Sequence, residues 1–252
     1  MTTLAIIPAR LAASRLPGKP LRLLGGRPLI LRVLERVAEM HVAQRCVVAT
    51  DSVEIARVVE GAGGECVLTG AHPSGTDRVA EAASTGEFAS YDVIVNVQGD
   101  EPFVSEAAVA GATNLVTSGR FPLGTAATIG PASILDAPDI VKVVSADDGR
   151  AMYFSRAGIP ALRDPSDRAT RDRRVHQHVG VYAYTRSALA AWVALPPHPL
   201  ELVERLEQLR PLAAGLAMGV ALIDEAFVGG IDTEADLVRA NARWNDLSPQ
   251  RA

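Results

Sequence analysis

The sequence predicts an α/β fold built on a mostly parallel sheet, and three observations predict it. Short apolar runs alternate with amphipathic helical stretches through the first 120 residues, as consecutive βαβ units require. The apolar runs are a few residues long and stop at Pro, Gly or Asp, which suits buried strands better than buried helices. The most conspicuous polar residues follow directly after those runs, at the strand ends where such sheets gather ligands.

In chain order, residues 4–7 read as a buried strand that stops at Pro8, which has no N–H to give to a ladder. A basic loop follows. Residues 28–40 place Leu29, Ile30, Val33, Leu34 and Val37 at helical spacing. Residues 45–50 form a second strand. Asp51 or Ser52 caps a helix over 53–62 that ends at Gly63-Gly64. Residues 65–68 are a third strand, and the turn at 72–78 leads into a helix to about Ser84. Residues 92–97 are the strongest strand, and Ser105 caps a helix to about Ser118.

The second half is less regular. Strands are expected at 125–129, 140–145 and 152–159, and the Arg/Asp-rich run 163–174 reads as an exposed loop. Residues 177–184 alternate strictly. Ser187 starts a short helix, and 199–216 is an amphipathic helix with Pro211 as a possible interruption. A strand at 219–224, a turn at 229–232 and a Thr233-capped helix to about Trp244 complete the chain. Without a repeat or a low-complexity linker, residues 1–247 are read as one α/β domain and 248–252 as a frayed tail.

Composition narrows the function. Of 252 residues, 48% are hydrophobic and only 4% aromatic, so the core is built from aliphatic side chains. A net charge of −4 argues against a general nucleic-acid binder. No long apolar segment or signal peptide is visible, which predicts a cytoplasmic protein. Cys46 and Cys66 lack metal-site spacing and read as buried thiols.

The basic loop carries Arg10, Arg15 and Lys19, with no acidic residue before Arg32. Its spacing is neither that of a P-loop nor Gly-x-Gly-x-x-Gly, yet uncompensated cations around Pro17-Gly18 suit an anionic ligand. Of 25 Lys and Arg, only Lys19 and Lys142 are lysines, which hints that these positions need a compact ammonium rather than a planar fork. Asp100, just after the strongest strand, is placed to hold Mg²⁺ together with phosphate oxygens and water. Asp232 is either a second metal ligand or the N-cap of the last helix. His176, His178, Tyr182 and Tyr184 share one strand face and suit a hydrogen-bonding platform better than a metal site, which would need a further ligand. Glu207 and Gln208 count as solvated face unless a substrate comes near.

These pieces together resemble the 3-deoxy-manno-octulosonate (Kdo) cytidylyltransferases, also called CMP-Kdo synthetases. The resemblance is carried by Ile7-Pro-Ala-Arg-Leu-Ala-Ala-Ser-Arg-Leu-Pro-Gly-Lys-Pro20, Ala49-Thr-Asp51, Ser74-Gly-Thr-Asp-Arg78 and Val95-Asn-Val-Gln-Gly-Asp-Glu-Pro102. Later motifs are Val141-Lys-Val-Val144, Tyr153-Phe-Ser-Arg156, His178-Val-Gly-Val-Tyr182, Pro199-Leu-Glu201, Leu206-Glu-Gln-Leu-Arg210 and Gly230-Ile-Asp-Thr-Glu234. They run nearly end to end and in order.

The resemblance implies a Rossmann-like nucleotide-diphospho-sugar transferase fold: a mixed, mostly parallel sheet with helices on both faces, a smaller inserted region at roughly 125–185 used in dimerisation, and a homodimer. It implies that CTP and Kdo give CMP-Kdo and pyrophosphate, for lipopolysaccharide core synthesis. By resemblance, Arg10, Arg15 and Lys19 hold the triphosphate, with Arg10, Lys19 and Asp100 catalytic. Ala9 and Ser74, Gly75 and Thr76 read the cytosine, and Gln98 contacts both substrates. Arg78, Arg156, His178, Tyr182, Glu207 and Gln208 surround the sugar acid. Asp100 and Asp232 hold Mg²⁺.

Pro73 stands where many members have Gln, and Gln177 where a basic residue often precedes the His. This leaves sialic acid or the 8-amino analogue of Kdo as alternative substrates. A non-catalytic nucleotide-binding regulator on the same fold is the alternative from another class, but it predicts loss of Lys19, Asp100 or Asp232, and all three are present.

Overall fold

The computed structural model describes residues 1–12 and 15–247. Ala13 and Ser14 of the basic loop lie outside the described residues, and so does the expected frayed tail at 248–252. Two compact units emerge. One comprises Thr2–Val104 and the segment from Val228; the other is Ser105–Phe227.

The first unit contains β1 (Thr3–Ala9), a two-residue hairpin of β2 (Leu23–Leu24) and β3 (Arg27–Pro28), α1 (Leu29–Glu39), β4 (Arg45–Thr50), α2 (Val53–Gly61), β5 (Glu65–Leu68), α3 (Gly75–Ser84) and β6 (Val93–Asn96). Strand order is β6-β1-β4-β5, and every neighbouring pair is parallel. Ile6, Ile7, Val47, Val48, Val93, Ile94 and Val95 are fully buried, as expected when helices cover a parallel sheet. Ser52 and Ser74 cap α2 and α3, each accepting from the backbone N–H three residues on.

Because these four strands run the same way, their carboxyl ends share one rim. Residues 10–12 and 15–22, Asp51, 69–74 and 98–102 all lie along it.

Pro8 does not end β1, which continues to Ala9 beside Thr50 of β4. The reason lies in the register. The Ile6 carbonyl accepts from Val97 N–H at 3.2 Å, so Ile6 and Pro8 both face the β6 side. There β6 ends at Asn96, and the N–H that Pro8 lacks costs no ladder bond.

The second unit contains α4 (Glu106–Thr117), β7 (Leu123–Ile129), β8 (Lys142–Ser145), β9 (Ala151–Ser155), α5 (Arg168–Asp172), β10 (His176–Thr185), α6 (Arg186–Ala194), α7 (Pro199–Glu204), α8 (Leu209–Ala213) and β11 (Met218–Ile223). Here pairing is mixed. β7 lies between parallel β11 and antiparallel β10, while β8 pairs antiparallel with β10 and β9. The expected loop at 163–174 is exposed but contains the short α5; its length and lack of an apolar face hid it.

The expected single helix over 199–216 is two helices. The break falls at Arg205, which adopts φ 54° and ψ 47°, rather than at Pro211, which sits inside α8. The break also changes which side chains are buried. Leu206 and Leu209 enter the core, whereas Leu202 and Val203 are 51% and 82% exposed.

α9 (Glu234–Leu247) returns the chain to the first unit. Thr233 caps it reciprocally with Asp236, and Asn241 bonds the backbones of Gly25 and Leu23.

In the second unit α4 lies on β7 with unusually little clearance. A Cβ on Gly124 would stand 2.3 Å from the Ala112 carbonyl oxygen, a contact with backbone that no rotamer relieves. Gly124→Ala is therefore expected to lower unfolding stability by about 2 kcal/mol or more, as overpacking does. Urea denaturation checks this, and a change within about 0.5 kcal/mol, the usual size for a surface substitution, would refute the close approach.

Candidate active site

Three segments meet at the rim of the first unit. The basic loop is anchored by Leu16 and Pro20, both buried. Gly18, at φ 65°, turns the chain into a 3-10 turn that begins at Lys19. The segment after β6 crosses the end of β1 so closely that a Cβ on Gly99 would lie 2.7 Å from the Pro8 carbonyl oxygen. Only glycine fits, and Asp100 follows at once. The third segment precedes α9, where Ile231 is buried and its N–H donates to the Asp100 carbonyl at 2.9 Å.

These anchors bring the side chains together. Lys19 Nζ donates to Asp100 Oδ2 at 2.6 Å and Asp232 Oδ1 at 2.9 Å, and Arg15 pairs with the other oxygen of Asp232 at 3.1 Å. Burial opposes the charge on Lys19, but the two carboxylates outweigh it and its pKa is raised. Asp232 does not cap α9, since Thr233 does, so its carboxylate is left for the cations.

Glu101 was not singled out in the sequence. Burial, followed by the charges of Asp100 and Asp232, pushes its carboxyl well above the usual range against the pull of Lys19. Its neutral form is thereby favoured, which limits the negative charge gathered beside the pair. Asp100 and Asp232 offer hard oxygens converging on one cation, a donor set that suits a divalent ion completed by phosphate and water. Among the described residues no group of three or more His, Cys, Asp or Glu is placed to hold a metal.

The other nucleotide candidates line the same rim. Arg10 stands exposed after buried Ala9. Ser74 and Gly75 form the entry of α3, with Thr76 buried in its first turn. Gln98 Nε2 donates to Asn96 at 3.2 Å.

Arg78, expected at the sugar, is buried. Its guanidinium pairs with Asp51 at 2.9 Å and donates to Thr69 Oγ1 at 2.6 Å. The same stretch is held by Glu81, which accepts from Gly70 N–H and bonds His72. These residues shape the 69–74 turn.

The remaining sugar candidates lie in the second unit. On β10 the register shifts between Val179 and Tyr182. The shift is by two residues, so alternation survives and His178, Tyr182 and Tyr184 stay on one face. Their rings adjoin at 5.5 and 6.2 Å, with Phe154 edge-on to His178 and Trp192 edge-on to both tyrosines.

Thr125 Oγ1 donates to the Val181 carbonyl at 2.7 Å, so it accepts from His178 Nε2 at 2.9 Å. Gln208 is buried and Glu207 half-buried. Arg156 donates to the carbonyls of Glu204, Pro138 and Arg205. Cys46 and Cys66, expected to be buried, are half-buried free thiols, raised to about 12 and about 11 chiefly by loss of solvent around them.

A family model described as cytidylyltransferase matches residues 4–220. A 3-deoxy-manno-octulosonate cytidylyltransferase of Gemmatimonas aurantiaca is 61% identical over 248 residues, covering 98% of this chain and 96% of that protein. The chain belongs to the 3-deoxy-manno-octulosonate cytidylyltransferase family. A Stenotrophomonas maltophilia relative of the same name is 45% identical over 252 residues, covering 96% of each protein. A solved CMP:2-keto-3-deoxy-manno-octonic acid synthetase complexed with CTP superposes on this cytidylyltransferase with TM-score 0.89 at 34% identity, covering all of both chains. The fold class read from the sequence, a Rossmann-like mixed sheet flanked by helices, is that of this relative. A 4-diphosphocytidyl-2C-methyl-D-erythritol synthase from Anaerococcus prevotii shares the fold at TM-score 0.63 and 15% identity, covering 97% of this chain and 98% of that one.

Burial holds the His178 imidazole down at about 3, against about 6.5 for an unperturbed histidine. Between these values the unfolded cytidylyltransferase binds a proton that the folded one refuses. The stability associated with neutral His178 is therefore present above pH 6.5 and lost as pH falls, at up to about 1.4 kcal/mol per pH unit. Urea midpoints of the wild type should fall more steeply from pH 7 to 4 than those of His178→Asn. Equal slopes would show that the ring titrates normally.

Proposed function

We propose that the chain transfers the cytidylyl group of CTP to the anomeric hydroxyl of 3-deoxy-manno-octulosonate, forming CMP-Kdo and pyrophosphate. The observation that carries the proposal is the Lys19 ammonium held between Asp100 and Asp232 in a chain 61% identical to a cytidylyltransferase of that name. The hydroxyl oxygen attacks the α-phosphorus in line as the bond to the bridging oxygen of pyrophosphate breaks, and the hydroxyl proton is released to solvent.

Such a transfer depends on positioning and charge neutralisation rather than covalent help. Arg10, Arg15 and Lys19 supply the cations for the triphosphate and the departing pyrophosphate. Asp100 and Asp232 would hold Mg²⁺, which supplies Lewis-acid stabilisation at the α-phosphate and orients the nucleophile. The Ser74-Gly75-Thr76 entry of α3, with Ala9 and Gln98, offers backbone and amide groups to a pyrimidine. His178, Tyr182, Glu207 and Gln208 supply hydrogen bonds for the sugar acid's hydroxyls. His178, neutral at working pH and with its Nε2–H given to Thr125, offers Nδ1 as a fixed acceptor rather than a charge.

The reading extends to a homodimer that works in the cytoplasm. No helix among the described residues is long and apolar enough to cross a membrane.

Pyrophosphate release over a panel of nucleotides and acid sugars tests the proposal. CTP with Kdo should be preferred over ATP, sialic acid and 8-amino-Kdo. Lys19→Ala and Asp100→Asn should each lower kcat by about 100-fold or more, the scale for losing a group that stabilises transition-state charge, with unchanged melting cooperativity. Near-normal turnover in either variant would remove that residue from the catalytic set.

A further inference from the structure

Lys142 is the second of the two lysines, and its side chain is fully buried. Among the described residues its Nζ bonds no carboxylate. It donates to three backbone carbonyls, of Ala137 at 3.0 Å, Ile140 at 2.7 Å and Arg156 at 2.5 Å. All three ammonium donors are thus used within the chain, which leaves none for a substrate.

What those bonds hold is informative. Arg156 has its carbonyl fixed by Lys142 and its N–H by the Glu204 carboxylate at 2.8 Å. Its guanidinium spreads over the carbonyls of Glu204 at 2.7 Å, Pro138 at 3.1 Å and Arg205 at 3.4 Å. Glu204 is held again by Ser155 Oγ at 2.8 Å.

Arg205 is the residue in the left-handed conformation that breaks α7 from α8. Without this break Glu207 and Gln208 would continue the helical register of α7. With it, Leu206 and Leu209 turn inward and Gln208 is buried beside them. On the far side the Glu201–Arg210 pair, bonded at 2.8 and 2.5 Å, closes the segment.

We propose that Lys142 is a positioning residue for the acid-sugar end of the reaction. By gathering three carbonyls it fixes Arg156, and Arg156 holds the left-handed turn at Glu204–Arg205 that presents Glu207 and Gln208. Arg156 then acts through these carbonyls rather than as a cation for the sugar carboxylate. The proposal rests on the reading that Glu207 and Gln208 face the sugar acid. A lysine suits the site because three carbonyls converge from different directions on one point, which a planar guanidinium cannot satisfy.

Steady-state pyrophosphate release tests it on purified Lys142→Met, Arg156→Lys and Gln208→Ala, each assayed well below its melting temperature. Lys142→Met keeps the side chain's bulk and loses the three donors. Arg156→Lys keeps the charge and loses the fork. Both should raise KM for Kdo about tenfold or more, with KM for CTP within about twofold of wild type. General loosening of the fold would raise both constants together, and that result overturns the proposal. So does an unchanged KM for Kdo in both variants while Gln208→Ala raises it. If Gln208→Ala is silent too, the sugar assignment itself fails and the positioning role with it. Should Lys142→Met not fold, Arg156→Lys decides on the same criteria.

Discussion

The site of the first unit depends on one ammonium finding two carboxylates. Lys19 reaches Asp100 across 81 residues of sequence and Asp232 across 213. Paired carboxylates repel, and they are costly to hold together unless a cation compensates them. The fold meets this by backbone means first. Gly99 lets the chain pass over the Pro8 carbonyl, the Ile231 N–H fastens the last segment to Asp100, and Thr233 takes over the capping that Asp232 would otherwise do. With the backbone settled, Lys19 and Arg15 supply two positive charges to two carboxylates, and Glu101 is held toward its neutral form. A triphosphate would bring further negative charge, which is the physical argument for a divalent ion beside it.

The scarcity of lysine has the same explanation at both positions. An ammonium directs three donors from a point, whereas a guanidinium directs five in a plane. Lys19 serves two carboxylates from different segments, and Lys142 serves three carbonyls from different loops. Planar tasks fall to arginine. Arg210 meets Glu201 through two nitrogens, Arg156 covers a row of carbonyls, and Arg78 joins Asp51 to Thr69. Burial makes each choice consequential, because a buried donor or acceptor left unpaired loses its hydration without recompense.

Much of this was legible in the sequence because it is local. Apolar runs, Ser caps and glycine stops placed most strands and helices of the first unit within a residue or two, though the β2–β3 hairpin was not expected and α9 runs three residues past Trp244, and the strand-end position of Asp100 identified the rim. The differences arose where a distant partner decides. Pro8 remains in β1 because β6 ends beside it. The 199–216 helix breaks at Arg205, a residue with no breaking propensity, where Arg156, just past β9, donates to the carbonyls of Glu204 and Arg205. Leu202 and Val203 count as apolar on any scale, yet that break turns them outward. Arg78, placed by resemblance at the sugar acid, is bonded by Asp51 and Thr69 within the turn. Glu101 carried no signal of its own, since its shift comes chiefly from burial, which only the folded chain creates.

The disposition of charge separates two kinds of recognition. In the first unit the cations of the basic loop remain near solvent or paired to carboxylates that a metal would compensate, so they suit a polyanion. In the second unit His178 is kept neutral by burial, Tyr182 is pushed well above its usual range by burial and held as a phenol, and Gln208 is an amide. Arg156, the cation most readily assigned to the sugar, spends its fork on backbone carbonyls. On the proposed reading these groups recognise hydroxyls by fixed donors and acceptors rather than by charge. Discrimination between acid sugars then turns on whether each hydroxyl or amino group meets its partner. An ammonium in place of a hydroxyl, as in the 8-amino analogue, cannot accept a bond where Tyr182 or Gln208 donates one, while the Glu207 carboxylate beside Tyr182 would accept from either.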